Sequence, residues 1–278
     1  MRNVKNYILV LVILFGFNSC SKDELEATIP SYISIDKFTV STNYATQGTS
    51  SSNITDAWVY IDNNLVGIFE LPAKFPVLKE GSVKIEVYPG IKENGISERR
   101  ARYLFYNVYT EQIILEKGKT FNLTPTTTYT SGTTFYWMED FESASLPFSY
   151  NAISDTVVYK TSSDVFEGYY SGKASMIPGM DFFECYTQIF TTLPRNKTVF
   201  LELNFKTNQP VLVGLFADSD QVGVFYLNTT STWKKIYLDF TELIKTRANA
   251  SQYKIFFGFQ SKVDYPDFAF DNLKIVHL

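Results

Sequence analysis

Two antiparallel β-sandwiches in tandem, an all-β chain, are the fold the sequence predicts, and three observations predict it. Apolar residues alternate with polar ones at period two from residue 33 onward, tight-turn signals interrupt that alternation at short spacing, and no long stretch carries the 3.6-residue period of an amphipathic helix. With 278 residues, 45% apolar and 17% aromatic, the chain can bury two modest cores.

The first residues read as an address. Arg2 and Lys5 precede an apolar run over residues 7–17, which gives way to Asn18, Ser19 and Cys20. A basic start, a short apolar stretch and small residues before a cleavage point mark a secretory signal, here residues 1–19. The run is shorter than the ~20 apolar residues that span a bilayer. Residues 20–30 follow as a charged tether. The stretch ending at Cys20 resembles a bacterial lipoprotein signal, in which cleavage exposes the cysteine for acylation. Lys22, Asp23 and Glu24 resemble the surface-export tag of Bacteroidota outer-membrane lipoproteins. The resemblance implies palmitate-type acylation of Cys20 and an outer-membrane anchor with the body facing the cell exterior. Several acyl chains hold firmly, since each buried CH₂ contributes about 0.8 kcal/mol.

Residues 31–124 read as the first sandwich. Trp58 and Tyr60 alternate with Val59 and Ile61, and Asp62-Asn63-Asn64 offers a tight turn into the next strand. Val83, Ile85 and Val87 alternate with Lys84, Glu86 and Tyr88, and a second hairpin turns at 116–119. The stretch over 58–67, followed by 76–81 and 83–88, resembles the PEGA-type and immunoglobulin-like modules of bacterial surface proteins, which bears on fold only. Arg99, Arg100 and Arg102 beside Tyr103, Phe105, Tyr106 and Tyr109 break the pattern. Such a cluster suits a contact surface, a covered edge strand or inter-domain packing. Thr-rich residues 125–134, with Pro125, read as a linker.

Residues 135–278 form the second sandwich. Val199, Leu201, Leu203 and Phe205 alternate with polar or exposed partners, as do Ile236, Leu238 and Phe240, then Tyr253, Ile255, Phe257 and Phe259. Thr241 and Glu242 open one short helical turn. Four motifs, Asp140-Phe141-Glu142-Ser143, Tyr170-Ser171-Gly172-Lys173-Ala174-Ser175, the strand from Thr232-Trp233 to Asp239-Phe240, and Phe270-Asp271-Asn272-Leu273, together resemble carbohydrate-binding-module jelly rolls of the galactose-binding-like type. The resemblance implies a jelly-roll sandwich and glycan binding. It also implies a structural Ca²⁺ held by the Glu142 and Asp271 carboxylates with carbonyls of Asp140 and Lys173, since calcium takes six to eight oxygens.

Chemistry is bounded by what the chain lacks. A formal charge of −4 argues against a nucleic-acid partner. The single histidine, His277, excludes Ser-His-Asp and Cys-His catalysis and His-rich metal sites. Glu139, Asp140 and Glu142 lie along one strand and cannot flank a sugar as a hydrolytic pair. Cys185, among aromatics, suits a buried inert thiol. The expectation is a non-catalytic protein whose exposed tyrosines, Tyr150, Tyr169, Tyr170 and Tyr265 near loop signals, stack on sugar. The alternative is an accessory subunit docking on an outer-membrane β-barrel complex.

Overall fold

A computed structural model describes residues 29–278; the apolar run, Cys20, Lys22, Asp23 and Glu24 lie outside the described residues. The first half contains β1 (Ser31–Ile35), β2 (Thr39–Val40), β3 (Asp56–Ile61), β4 (Asn64–Glu70), β5 (Ala73–Val77), β6 (Gly81–Lys92), β7 (Arg100–Arg102), β8 (Tyr109–Leu115), β9 (Thr120–Leu123) and β10 (Thr126–Thr127). One sheet runs β5-β1-β9; the facing one runs β4-β3-β6, with β7 and β8 both paired to β6. The β3-β4 turn works because Asp62 and Asn63 both accept positive φ, at 48° and 64°. Period-two alternation then aims Ile33, Val59, Ile61, Ile85, Val87 and Ile113 into a single core.

The second half contains β11 (Thr134–Glu139), β12 (Phe148–Tyr150), β13 (Tyr159–Thr161), β14 (Ser171–Ser175), β15 (Phe182–Thr187), β16 (Val199–Thr207), β17 (Val211–Ala217), β18 (Asp220–Leu227), β19 (Lys234–Asp239), β20 (Tyr253–Gln260) and β21 (Asp267–His277), with a short helix α1 (Thr241–Lys245) after β19. One sheet has the order β13-β14-β21-β16-β19, with β11 also on β21; the other has the order β12-β15-β20-β17-β18. All its pairings are antiparallel and the chain passes repeatedly from one sheet to the other, as a jelly roll does. Its core is aromatic: Phe141, Phe183, Phe257, Phe268 and Phe270 interlock between the sheets. Gly172 is required here, because a Cβ would sit 2.3 Å from the Phe141 ring. Cys185 is fully buried, and burial pushes its thiol up, out of the range of a nucleophile.

The two halves share a third core. Outward residues of β16, β19 and β21 (Phe200, Tyr237, Val276) pack against Ile91, Tyr103, Phe105, Tyr106 and Tyr129. The Arg-aromatic segment therefore serves inter-domain packing through its aromatics. Residues 125–134, read as the linker between the two halves, are pinned along their course. Thr126 and Thr127 pair in parallel with β2, and Tyr129 bridges Tyr106 and is buried, because both halves have polar backbone and apolar surface to satisfy there. Nor are the alternate residues of β16 exposed: Phe200, Glu202 and Asn204 all lie under the first half.

Glu202 is the polar centre of this interface. It is 0% exposed, and its Oε1 accepts from the Tyr103 hydroxyl at 2.7 Å and the Tyr129 hydroxyl at 2.9 Å. Lys235 Nζ lies 3.1 Å from Oε2. Lys274 Nζ donates to the Thr49 carbonyl at 2.7 Å. Burial pushes Glu202 up, but Lys235, Lys274 and the two hydroxyls more than offset it, so the carboxyl sits below its ordinary value and is ionised at neutral pH.

Candidate functional site: a groove on the outer face of the second sheet

Alternation gives the β12-β15-β20-β17-β18 sheet an outer face made of Phe182, Glu184 and Tyr186 on β15, Phe256, Gly258 and Gln260 on β20, Leu212, Gly214 and Phe216 on β17, and Gln221, Gly223 and Tyr226 on β18. Gln221 Nε2 donates to Glu184 Oε2 at 2.6 Å, although two strands separate β18 from β15. In a flat sheet at about 4.8 Å per strand their backbones would stand roughly 14 Å apart. The face is therefore strongly concave. The bend sits at the register shift beside Gly214, where a Cβ would lie 2.0 Å from the Val222 carbonyl oxygen and 2.6 Å from the Phe256 ring. Glycine is the residue that lets the β17-β18 hairpin close over Phe256, which is buried although it faces outward.

One end of the concavity is filled. Tyr186 and Phe216 stack edge to face with centroids 5.2 Å apart, and Lys254 Nζ lies over both rings. The other end is an open groove of about 530 Å³. Phe182, Leu212 and Tyr226 wall it; Glu184, Asn208, Gln209, Gln260 and Lys262 bring polar atoms to it. Tyr226 is 59% exposed. Gln209 is buried and its Nε2 has no hydrogen-bond partner among the described residues. Among the described residues Glu184 is the single carboxylate lining this groove, and its oxygens are engaged by Asn151 Nδ2, the Tyr186 hydroxyl and Gln221 Nε2. Burial and the hydrogen bond to Glu184 push the Tyr186 hydroxyl up to about 12, so it stays a donor at neutral pH. The arrangement offers apolar walls, amides that donate and accept, and no acid facing a second acid.

The residues singled out in the sequence fall in several places. Tyr265 is exposed in the loop after β20, the loop that brings Lys262 and Val263 to the groove, and its carbonyl accepts from Asn208 Nδ2 at 2.7 Å. Tyr150 is exposed on β12, the edge strand of the same sheet, one residue before Asn151. Tyr169 and Tyr170 belong to the loop before β14, on the opposite sheet, where their backbone N–H groups donate to Glu142 Oε1 at 2.7 and 3.0 Å. The fold thus ties the Tyr265 backbone to Asn208, a residue of the groove, and places Tyr169 and Tyr170 on the opposite sheet.

Glu142 and Asp271 do meet the same loop, but as acceptors of protein donors. Asp271 Oδ2 accepts from the Ser171 hydroxyl at 2.6 Å and Oδ1 from the Asn272 N–H at 2.7 Å. Burial raises the Asp271 carboxyl to about 7 against those bonds. The Asp140 side chain accepts from the Tyr44 hydroxyl at 3.3 Å, and the Lys173 ammonium pairs with Asp267 at 3.0 Å on a strand paired on both sides. A calcium ion needs oxygens pointed at it. Here N–H and O–H donors point at the carboxylates, and among the described residues no group of three or more His, Cys, Asp or Glu is placed to hold a metal. The expected calcium set, the Glu142 and Asp271 carboxylates with carbonyls of Asp140 and Lys173, thus has both carboxylates engaged by protein donors.

Phe182, Gln209, Tyr226 and Gln260 carried no motif. The available signal was glycine inside strands: Gly214, Gly223 and Gly258 interrupt three apolar runs and mark where backbone or side chains approach closely.

No family model matches the sequence, and no curated protein matches it. Among solved structures the chain is similar to the enzymatically active domain of bacteriophage CBA120 tailspike protein 4, at 14% identity over 46% of this chain and 18% of that one, with a TM-score of 0.37. It is similar to the CBM22-1 xylan-binding domain of Paenibacillus barcinonensis Xyn10C, at 11% identity over 50% of this chain and 91% of that one, TM-score 0.36. It is also similar to the family 11 carbohydrate-binding module of the cellulase Lic26A-Cel5E of Clostridium thermocellum, at 14% identity over 52% and 94% of the two chains, TM-score 0.35.

Proposed function

We propose that this protein is a non-catalytic, lipid-anchored surface protein that holds a carbohydrate chain in the concave groove of its second sandwich. The observation that carries the reading is the groove's chemistry: an exposed tyrosine and an apolar wall beside a buried amide donor with no partner, over a floor without a free carboxylate. A sugar presents C–H faces to aromatic rings and hydroxyls to amides, which is the pattern such a wall accommodates. One fully bonded acid is insufficient for glycoside hydrolysis, which takes two. Acylation of Cys20 would keep the groove at the cell surface, where polymeric glycans are met.

Affinity gel electrophoresis of the full chain against xylan, mixed-linkage β-glucan and β-1,4-galactan tests the groove. Retardation by at least one polymer is expected, with Phe182→Ala and Gln260→Ala each weakening it by up to about tenfold. Wild-type mobility in all three gels, or release of reducing sugar from any of them, would refute the reading. Incorporation of labelled palmitate into the wild-type chain and its loss in Cys20→Ser test the anchor.

A further inference from the structure

Between the two halves lies a second cleft, of about 640 Å³, formed by residues 51–55 and 92–97 of the first half and by β16, β19 and the loop after β18. We infer that this seam is a second saccharide subsite, continuous with the groove across Tyr226, so that the protein reads an extended glycan and not a single terminal sugar.

The walls are held by the protein itself. Asn53 donates its backbone N–H to the Tyr237 hydroxyl and its Nδ2 to the Lys235 carbonyl, both at 3.0 Å, and Asn94 Oδ1 accepts from the Asp239 N–H at 2.7 Å. The seam is therefore preformed, and binding there orders few groups. Trp233 stands in it as a fixed aromatic: its Nε1–H donates to Asp164 Oδ1 at 3.2 Å, and Phe166 packs against it with centroids 5.7 Å apart.

The ligand class follows from atoms in the seam that lack partners. Asn204 is 1% exposed; its Nδ2 donates to Ser51 Oγ at 2.9 Å, while its Oδ1 accepts nothing among the described residues. The buried Oγ1 of Thr230 is also without a partner. A buried amide oxygen left unpaired costs free energy and needs a donor. A carboxylate has only acceptors at neutral pH and would meet Asn204 Oδ1 with repulsion. Sugar hydroxyls both donate and accept, which answers Asn204 and Thr230 together, while a pyranose face lies on Trp233.

The exposed Tyr226 ring lines both clefts. A chain lying in the groove and leaving past Tyr226 enters the seam with no further surface to cross. The ligand class rests on the seam's own atoms; continuity with the groove rests on the function proposed above.

Calorimetry of the full chain with β-1,4-linked xylose, glucose and galactose oligosaccharides of two to eight units separates the two. In the series that binds, affinity is expected to rise by about tenfold once the oligomer outgrows the groove, a stacking-sized gain. Trp233→Ala should remove that gain and leave short-oligomer affinity unchanged, whereas Phe182→Ala should weaken short and long alike. Thr230→Val keeps the side chain's shape and provides a variant with little reason to misfold; it should reduce the gain severalfold. Binding of short oligomers with no gain on lengthening, or a gain that survives both Trp233→Ala and Thr230→Val, overturns the seam and leaves the groove standing. No binding by any series overturns both.

Discussion

Replacing Glu202 by glutamine tests whether a buried ion pair within the second half, on the face that the first half covers, stabilises the fold. The substitution keeps an acceptor for the Tyr103 and Tyr129 hydroxyls, 2.7 and 2.9 Å away, so their hydrogen bonds survive in neutral form. It removes the counter-charge of Lys235, whose side chain is 2% exposed and whose Nζ has no other partner among the described residues. Breaking a buried pair from one side typically costs about 3–5 kcal/mol, because the remaining charge stays desolvated. At about 2–4 °C per kcal/mol for a chain of this size, the melting temperature should fall by roughly 10 °C. Urea unfolding followed by tryptophan fluorescence and circular dichroism reads the loss. The double variant Glu202→Leu with Lys235→Met should recover most of it, since well-packed apolar replacements of buried pairs are often neutral or better. A single variant within about 1 kcal/mol of wild type, or a double variant no better than the single one, would show that the ion pair does not stabilise the fold.

Three further outcomes are expected. Gly214→Ala should destabilise by about 1–3 kcal/mol and weaken glycan retention with it, because its methyl would meet the Val222 carbonyl at 2.0 Å and force the hairpin off Phe256; a calorimetric scan with the gel assay checks both. Asp271 titrates near 7 in the folded chain against 3.8 as the ordinary value, so the folded state binds this proton more tightly and the contribution is present below pH 4 and lost as pH rises to 7. Asp271→Asn should therefore gain stability relative to wild type across that window, by up to about 4 kcal/mol, and a constant difference between pH 4 and pH 7 would contradict it. A chelator should leave the melting temperature unchanged, since Glu142 and Asp271 are satisfied by N–H and O–H donors; a drop reversed by added Ca²⁺ would show that an ion displaces those donors.

Much of the fold was legible because strand periodicity is local. The alternation at 83–87 and 253–259 states which residues face a core, and Asp62-Asn63 states a turn that needs positive φ. The groove was much less legible. Its residues occupy the outer positions of four strands, where Leu212, Phe256 and Tyr226 look like any exposed apolar residue until the order β15-β20-β17-β18 sets them side by side. The tyrosines picked from loop signals divided accordingly: Tyr265 lies in the loop after β20, whose backbone bonds to Asn208, and Tyr169 and Tyr170 went to the other sheet with β14.

Which face of each strand turns inward was settled by the sequence alone, because a period of two is a property of neighbouring residues. What covers the outward face was not. Phe200, Glu202 and Asn204 alternate like solvent-facing positions, yet they are buried, because residues about 100 to 150 positions earlier fold back over them. The groove, the seam and the ionised Glu202 all depend on such distant juxtapositions, where packing geometry and desolvation act between segments that local pattern cannot connect.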